Sequence, residues 1–175
     1  VVALEEIERR DFANAQYNPA YEDMFFMLEK ELEDIVGADV AGRLHIARSR
    51  NDIDLCEFRM ALREELLDLM DAVSALMDVL LSRARENIDT VMPAYTHTQP
   101  AQPTTLAHYW TAFYDCLERD YDRLAHAYHT VNRSAIGAAA ITTTGFPISR
   151  ERMAELLGFD GLVENSYDAI AGVDY

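Results

Sequence analysis

Three polar segments interrupt a chain that is otherwise striped with apolar residues. They are Arg48-Ser49-Arg50-Asn51-Asp52, Thr96-His97-Thr98-Gln99 and Thr142-Thr143-Thr144. The first joins guanidinium groups, a hydroxyl and an amide at the start of a predicted helix. Arg offers paired donors to a carboxylate. A helix N-terminus adds unpaired N–H groups and partial positive charge. The set suits a carboxylate ligand, or it is a capped helix with solvated Arg side chains. The second segment places His97 on a proline-stiffened stretch, where an imidazole can exchange a proton near neutral pH. It also reads as a histidine tying down an extended loop. The threonine run offers hydroxyl donors, but polar loops of this kind are common.

His45 stands beside the basic cluster and stays ambiguous. His108, His126 and His129 lie off the apolar stripe and are expected to face solvent. Cys56 and Cys116 fall inside predicted helices with no His or Cys at ligand spacing, so both read as reduced packing residues and no metal is expected. There is no Gly-rich phosphate loop, and no cofactor is expected.

The elements that must position these segments are long helices. A stripe of Leu55, Phe58, Leu62, Leu66, Leu69, Val73, Leu76 and Leu80 is spaced by three or four residues. It predicts a helix from about Asp52 to Glu86, capped by Asn51 or Asp52. A second stripe, Leu106 to Val131, predicts a helix over about 105–133. At ~1.5 Å per residue each would run roughly 40–50 Å, which suits an extended bundle shared between subunits. Between them Pro93, Pro100 and Pro103 forbid a helix and stiffen an extended connection. A helix is expected over 19–36, with Pro19 in its first turn and Gly37 as its stop. Another short one is expected over 1–12. Residues 38–51 break the pattern, and 134–149 cannot be a helix interior. Ser149 should cap a short helix ending at Gly158. With no β alternation the fold class is all-α.

The 175 residues are half hydrophobic, enough for one domain or one and part of another. Against 31 acidic residues stand 15 basic ones, a net charge of −16. That surface repels nucleic acid and anionic membranes, yet a local Arg cluster can still hold a small anion. No apolar run reaches the ~20 residues of a membrane span. No secretion signal is seen, and a cytoplasmic soluble protein is the expectation. The ends, Val1-Val2 and Asp174-Tyr175, suggest a partial chain.

The motifs GRLHIARSRND (42–52), TVMPAYTHTQPAQPTT (90–105), VNRSAIGAAA (131–140) and GFPISRERMAELLGFDGLVENSYDAI (145–170) resemble argininosuccinate lyases of the fumarase/aspartase superfamily. The likeness runs from about residue 20 to the end. It implies an all-α, long-helix bundle, with 1–40 as the end of an N-terminal helical domain and 41–175 as part of the central one. It implies a homotetramer whose active sites draw on several subunits, and a small dicarboxylate substrate. The implied reaction is reversible β-elimination of an N-substituted aspartate to fumarate and an amine, as in arginine biosynthesis.

By motif, Ser49, Arg50, Asn51 and Thr96 would bind substrate, and His97 with Thr96 would serve catalysis. The base implied by the family is a serine on a GSSxMPxKxNP-like loop. No segment here matches it, so the 175-residue chain alone is expected to be nearly inactive. Thr142-Thr143 and Gly145 depart from a GAGALAGTTFPI-like pattern, Ala171-Gly172 stands where Ser-Asp is usual, and Tyr17–Phe26 also departs. A related lyase acting on another N-(dicarboxyethyl) amine, or a non-catalytic structural member, are the alternatives.

Overall fold

The computed structural model of the chain describes residues 1–10 and 18–175. Residues 11 and 12 of the first predicted helix, and Tyr17 of the departing segment, lie outside the described residues. The elements are α1 (Val2–Glu8), α2 (Met24–Val36), α3 (Ala38–Leu44), α4 (Arg50–Glu86), β1 (Val91–Thr96), β2 (Gln99–Thr105), α5 (Leu106–Val131), α6 (Arg150–Leu156) and α7 (Ser166–Ala171). The all-α class therefore holds, with one two-stranded hairpin added to it. No helix among the described residues is long and apolar enough to cross a membrane.

Two compact units divide the chain. The first comprises 1–56, 135–158 and 162–173. Its helices α1 and α2 bury Ala3, Ile7 and Leu32 with Leu28, Val36 and Ala41 beside them. A second core joins Ala135, Ala138 and Ala169, flanked by Leu55, Val163 and Ile170. Helix α2 starts at Met24 and not at Pro19. Asp23 takes the cap by accepting the Phe26 N–H at 3.1 Å. Pro19 lies instead in a turn where Tyr21 N–H donates to the Asn18 carbonyl at 3.0 Å. Gly37, at φ +84°, ends the helix as expected.

The expected break over 38–51 is corrected in part, because 38–44 is helical. Asp39 and Arg43, four residues apart, pair at 2.7 Å, and Ala41 packs against the core. Ser149 caps α6 by accepting the Arg152 N–H at 3.1 Å, as expected. The six residues of α7 gave no periodic signal, and Asn165 fixes their start by accepting the N–H groups of Tyr167 and Asp168.

The second unit comprises 57–134, 159–161 and 174–175. Most of α4, the hairpin and α5 lie here. The proline stretch is extended as expected, but it is an antiparallel hairpin and not a bare connection. Proline donates no N–H, which costs nothing on the outer edge of a strand. A two-stranded hairpin has an outer edge on both strands, so Pro93 can sit opposite Pro103. Thr105 caps α5 by accepting the His108 N–H at 3.2 Å. At the other end of α5, Arg59 Nη1 donates to the Thr130 carbonyl at 3.1 Å, and Arg63 Nη1 donates to Asn132 Oδ1 at 2.8 Å. Cations at the C-terminal carbonyls of a helix are the favourable arrangement.

Both predicted stripes are present, but in the chain by itself they are only partly covered. Leu80 is buried, whereas Phe58, Leu69, Leu76 and Phe113 stand about half exposed. Cys56 is buried as expected. Cys116 is exposed, with Arg119 Nη2 at 3.2 Å from its sulfur, which corrects its reading as a packing residue. His108, His126 and His129 do not enter the buried cores, as expected.

Gly137 is a position where only glycine fits. Its φ is +80°, and a Cβ there would stand 2.7 Å from Arg150 Cγ and 2.9 Å from Met153 Cε. Gly137→Ala should therefore cost about 2–4 kcal/mol, the sum of backbone strain and displaced side chains. Urea unfolding of the two chains checks this, and an unchanged midpoint would refute the crowding.

Candidate functional site

Ser49 precedes α4 and takes the cap expected of Asn51 or Asp52. Its Oγ accepts the Asn51 N–H at 3.3 Å, while Asp52 Oδ1 accepts the Ser49 N–H at 2.8 Å. That is a capping box with aspartate in the reciprocal position. Arg50 and Asn51 are thus the first residues of a 37-residue helix, where free N–H groups collect. Asn51 Nδ2 donates to the Ala140 carbonyl at 3.0 Å.

Asp52 is fully buried. Its second oxygen accepts the N–H groups of Gly137 at 2.8 Å and Ala139 at 3.0 Å. Both residues have positive φ. Neighbouring N–H groups turned inward by such backbone form a small anion-binding concavity, and here the anion is the Asp52 carboxylate. The loop is closed by Thr143, whose N–H donates to the Ala138 carbonyl and whose hydroxyl donates to the Gly137 carbonyl at 2.9 Å. Thr144 Oγ1 accepts the Phe146 N–H at 3.2 Å. Two of the three threonine hydroxyls are therefore spent on holding this loop.

The side chains of the basic segment meet acceptors within the chain. Arg43 pairs with Asp39, His45 Nδ1 meets Glu29 Oε1, and Arg48 Nη2 donates to the Leu44 carbonyl. Arg50 makes the largest set. Nη1 donates to Asp23 Oδ2, and Nη1 and Nη2 each lie 3.1 Å from Glu22 Oε1. Its guanidinium also stands 4.8 Å over the Phe26 ring. The Arg50 hydrogen bond holds the Asp23 carboxyl below its ordinary range, and the two carboxylates push the guanidinium further up.

Thr96 and His97 lie in the second unit, at the tip of the hairpin, and both are exposed. Thr96 pairs with Gln99, so the turn is His97-Thr98 alone. Both turn residues have positive φ, +47° and +63°. A two-residue hairpin of the I′ type demands this, and Asn-Gly is its usual sequence. Histidine and β-branched threonine there cost of order 1–3 kcal/mol each, a strain that clusters at functional sites. The Thr98 hydroxyl donates to the His97 carbonyl at 2.6 Å. Among the described residues no group of three or more His, Cys, Asp or Glu side chains is arranged to hold a metal ion.

The structure thus gathers Ser49, Arg50 and Asn51 at one helix start, and sets Thr96 and His97 at a strained turn of the other unit. Sequence reasoning missed Asp52 as the member that ties this helix start to the 137–140 loop. It also missed Glu22 and Asp23 as the partners of Arg50. The sequence pointed to Asp52 only as a member of the SRND motif and as a candidate cap of the helix. Nothing in the sequence pointed toward partners 27 and 28 residues away.

Known proteins similar to this chain identify its family. A family described as "Lyase" matches residues 3–175. Argininosuccinate lyase 2 of Agrobacterium fabrum is 50% identical over 174 residues, which is 99% of this chain and 34% of that protein. Argininosuccinate lyase of Methanosarcina mazei is 47% identical over 98% of this chain and 33% of its own length. The crystal structure of EDDS lyase in complex with formate superposes with a TM-score of 0.85 at 39% identity, over 99% of this chain and 33% of that one. A variant of EDDS lyase has been solved with bound fumarate. The chain spans about a third of the length of the curated relatives it matches. On the match over nearly all of its residues, the chain belongs to the lyase family.

Proposed function

We propose that the protein is a carbon–nitrogen lyase of the argininosuccinate lyase kind. It acts on an N-substituted aspartate, removes a proton from the carbon beside a carboxylate, and breaks the C–N bond to give fumarate and an amine. Argininosuccinate is the default substrate and arginine the default amine. The observation that carries this is the Ser49-Arg50-Asn51 start of α4, within a chain half identical to an argininosuccinate lyase.

The chemistry follows from those groups. The abstracted proton is weakly acidic, so charge builds on the neighbouring carboxylate and needs fixed donors. A helix N-terminus supplies N–H groups that do not reorganise during reaction. Ser49, Arg50 and Asn51 hold the substrate carboxylates in this reading. Thr96 hydrogen-bonds the substrate. His97 takes part in proton transfer or orients the group that does.

The same proposal assigns 1–40 to the end of an N-terminal helical domain and 41–175 to a central helical one. It assigns a cytoplasmic homotetramer with active sites shared between subunits. The half-exposed apolar residues of α4 and α5 support association, since a buried bundle face would otherwise meet water. A different amine is the second reading. The likeness to EDDS lyase and the departures at Thr142, Thr143 and Gly145 favour it. Rebuilt polar contacts in a pocket can change preference by orders of magnitude.

The test is fumarate release, followed by ultraviolet absorbance, from argininosuccinate and a panel of N-(dicarboxyethyl) amines. The complete natural polypeptide that carries this chain is assayed beside the 175-residue chain. Release by the former and near silence of the latter is expected, because the latter holds no serine-loop segment. No release from any substrate by a folded polypeptide would sink the lyase reading.

A further inference from the structure

We propose that Asp52 is a positioning residue, one carboxylate that sets the spacing between the 49–51 segment and the 137–140 loop. The lyase reading supplies its substrate, but the geometry stands without it. Asp52 is fully buried, and three backbone N–H groups converge on it, from Ser49, Gly137 and Ala139. The two oxygens are divided between two elements. Oδ1 faces the cap of α4 and Oδ2 faces the loop. The segment that the lyase reading gives to the substrate carboxylates, and the loop that takes the Asn51 amide through the Ala140 carbonyl, are thereby held by the same side chain.

A neutral amide cannot do this. An asparagine in place of Asp52 would carry one acceptor oxygen and one NH2 group. Whichever way it turned, an N–H would face an N–H, and either the cap or the loop would be released. The loop also stores strain that needs a partner: Ala139 sits at φ +54°, and its N–H is aimed inward by that backbone. Hydrogen bonds to a charged acceptor are the strong class, so their loss is large for so small a change in the side chain.

The experiment has two arms. In the complete natural polypeptide, amide hydrogen exchange is followed at Ser49, Gly137 and Ala139 in wild type and Asp52→Asn. Asp52→Asn is expected to speed exchange at least about tenfold at Gly137 and Ala139, or at Ser49, while the amides of α5 keep their rates. In the complete natural polypeptide, Asp52→Asn is expected to raise KM for the dicarboxylate substrate about tenfold or more, with kcat changed by less than about threefold. Unchanged exchange at all three amides overturns the proposal, and so does a fall in kcat with KM unmoved. Should Asp52→Asn fail to fold, the wild-type chain decides. Gly137 and Ala139 share one carboxylate oxygen, so their amides open together, and protection factors that differ by more than about tenfold between the two refute the shared latch. Absence of fumarate release by the wild type would count against the lyase reading alone, since the exchange rates still judge Asp52.

Discussion

Replacing His97 by Ala in the complete natural polypeptide is expected to cut fumarate release by about a hundred- to ten-thousand-fold, the usual range for a lost proton-transfer group. The fall should lie in kcat, with KM changed little, because the proposed role of the imidazole is in the transition state more than in binding. The backbone at that tip strengthens the expectation. Two consecutive residues of positive φ, neither of them Gly or Asn, are unfavourable for the hairpin alone. Thr98→Gly relieves the worse of the two and should raise the melting temperature of the chain by a few degrees, a gain of about 1 kcal/mol. The same change loosens the turn that aims His97, so activity should fall as stability rises. A variant that loses stability, or gains activity, would show that the turn is simply a turn. An His97→Ala protein that releases fumarate at the wild-type rate would remove His97 from the reaction.

How much of this was legible in the sequence depends on range. The long helices were readable because their apolar period repeats over many turns, and Leu55 to Leu80 left little choice. The stop at Gly37 and the cap at Ser149 were legible, because they act within four residues. The hairpin was half legible. Prolines announced extended backbone, but with Pro on both strands no alternation marked the pairing of Val91 with Thr105. Helices α3 and α7 were too short to show a period. The candidate site followed the same rule. Ser49, Arg50, Asn51, Thr96 and His97 stood out by type and by motif. Asp52 did not, because two of its three donors lie 85 and 87 residues on. A buried carboxylate is identified by what surrounds it, and sequence alone does not list its surroundings.

Arg50 carries the second large expectation. Arg50→Lys in the complete natural polypeptide should raise KM for the dicarboxylate substrate by about thirtyfold or more, since lysine keeps the charge but loses the planar fork. It also loses the seat over Phe26. The wild-type contacts make the argument sharper than a motif can. Glu22 and Asp23 already occupy this guanidinium, so under the proposed function a substrate carboxylate would meet a locally negative site and have to displace one of them. Glu22 is the more exposed of the two, and Asp23 also caps α2. Glu22 is therefore the group to yield, and Glu22→Gln should lower KM by a few fold. A raised KM for Glu22→Gln would mean that the carboxylate orients Arg50 instead of competing for it. Asp23 provides a separate check through pH. Its carboxyl is held below the ordinary range by Arg50, so the pair stabilises the fold above that range and ceases to as pH falls through the lowered value. The melting temperatures of wild type and Asp23→Asn should thus differ at neutral pH and converge in acid. A gap that stayed constant to low pH would show that the cap hydrogen bond to Phe26, and not the charge on Asp23, is what the substitution removes.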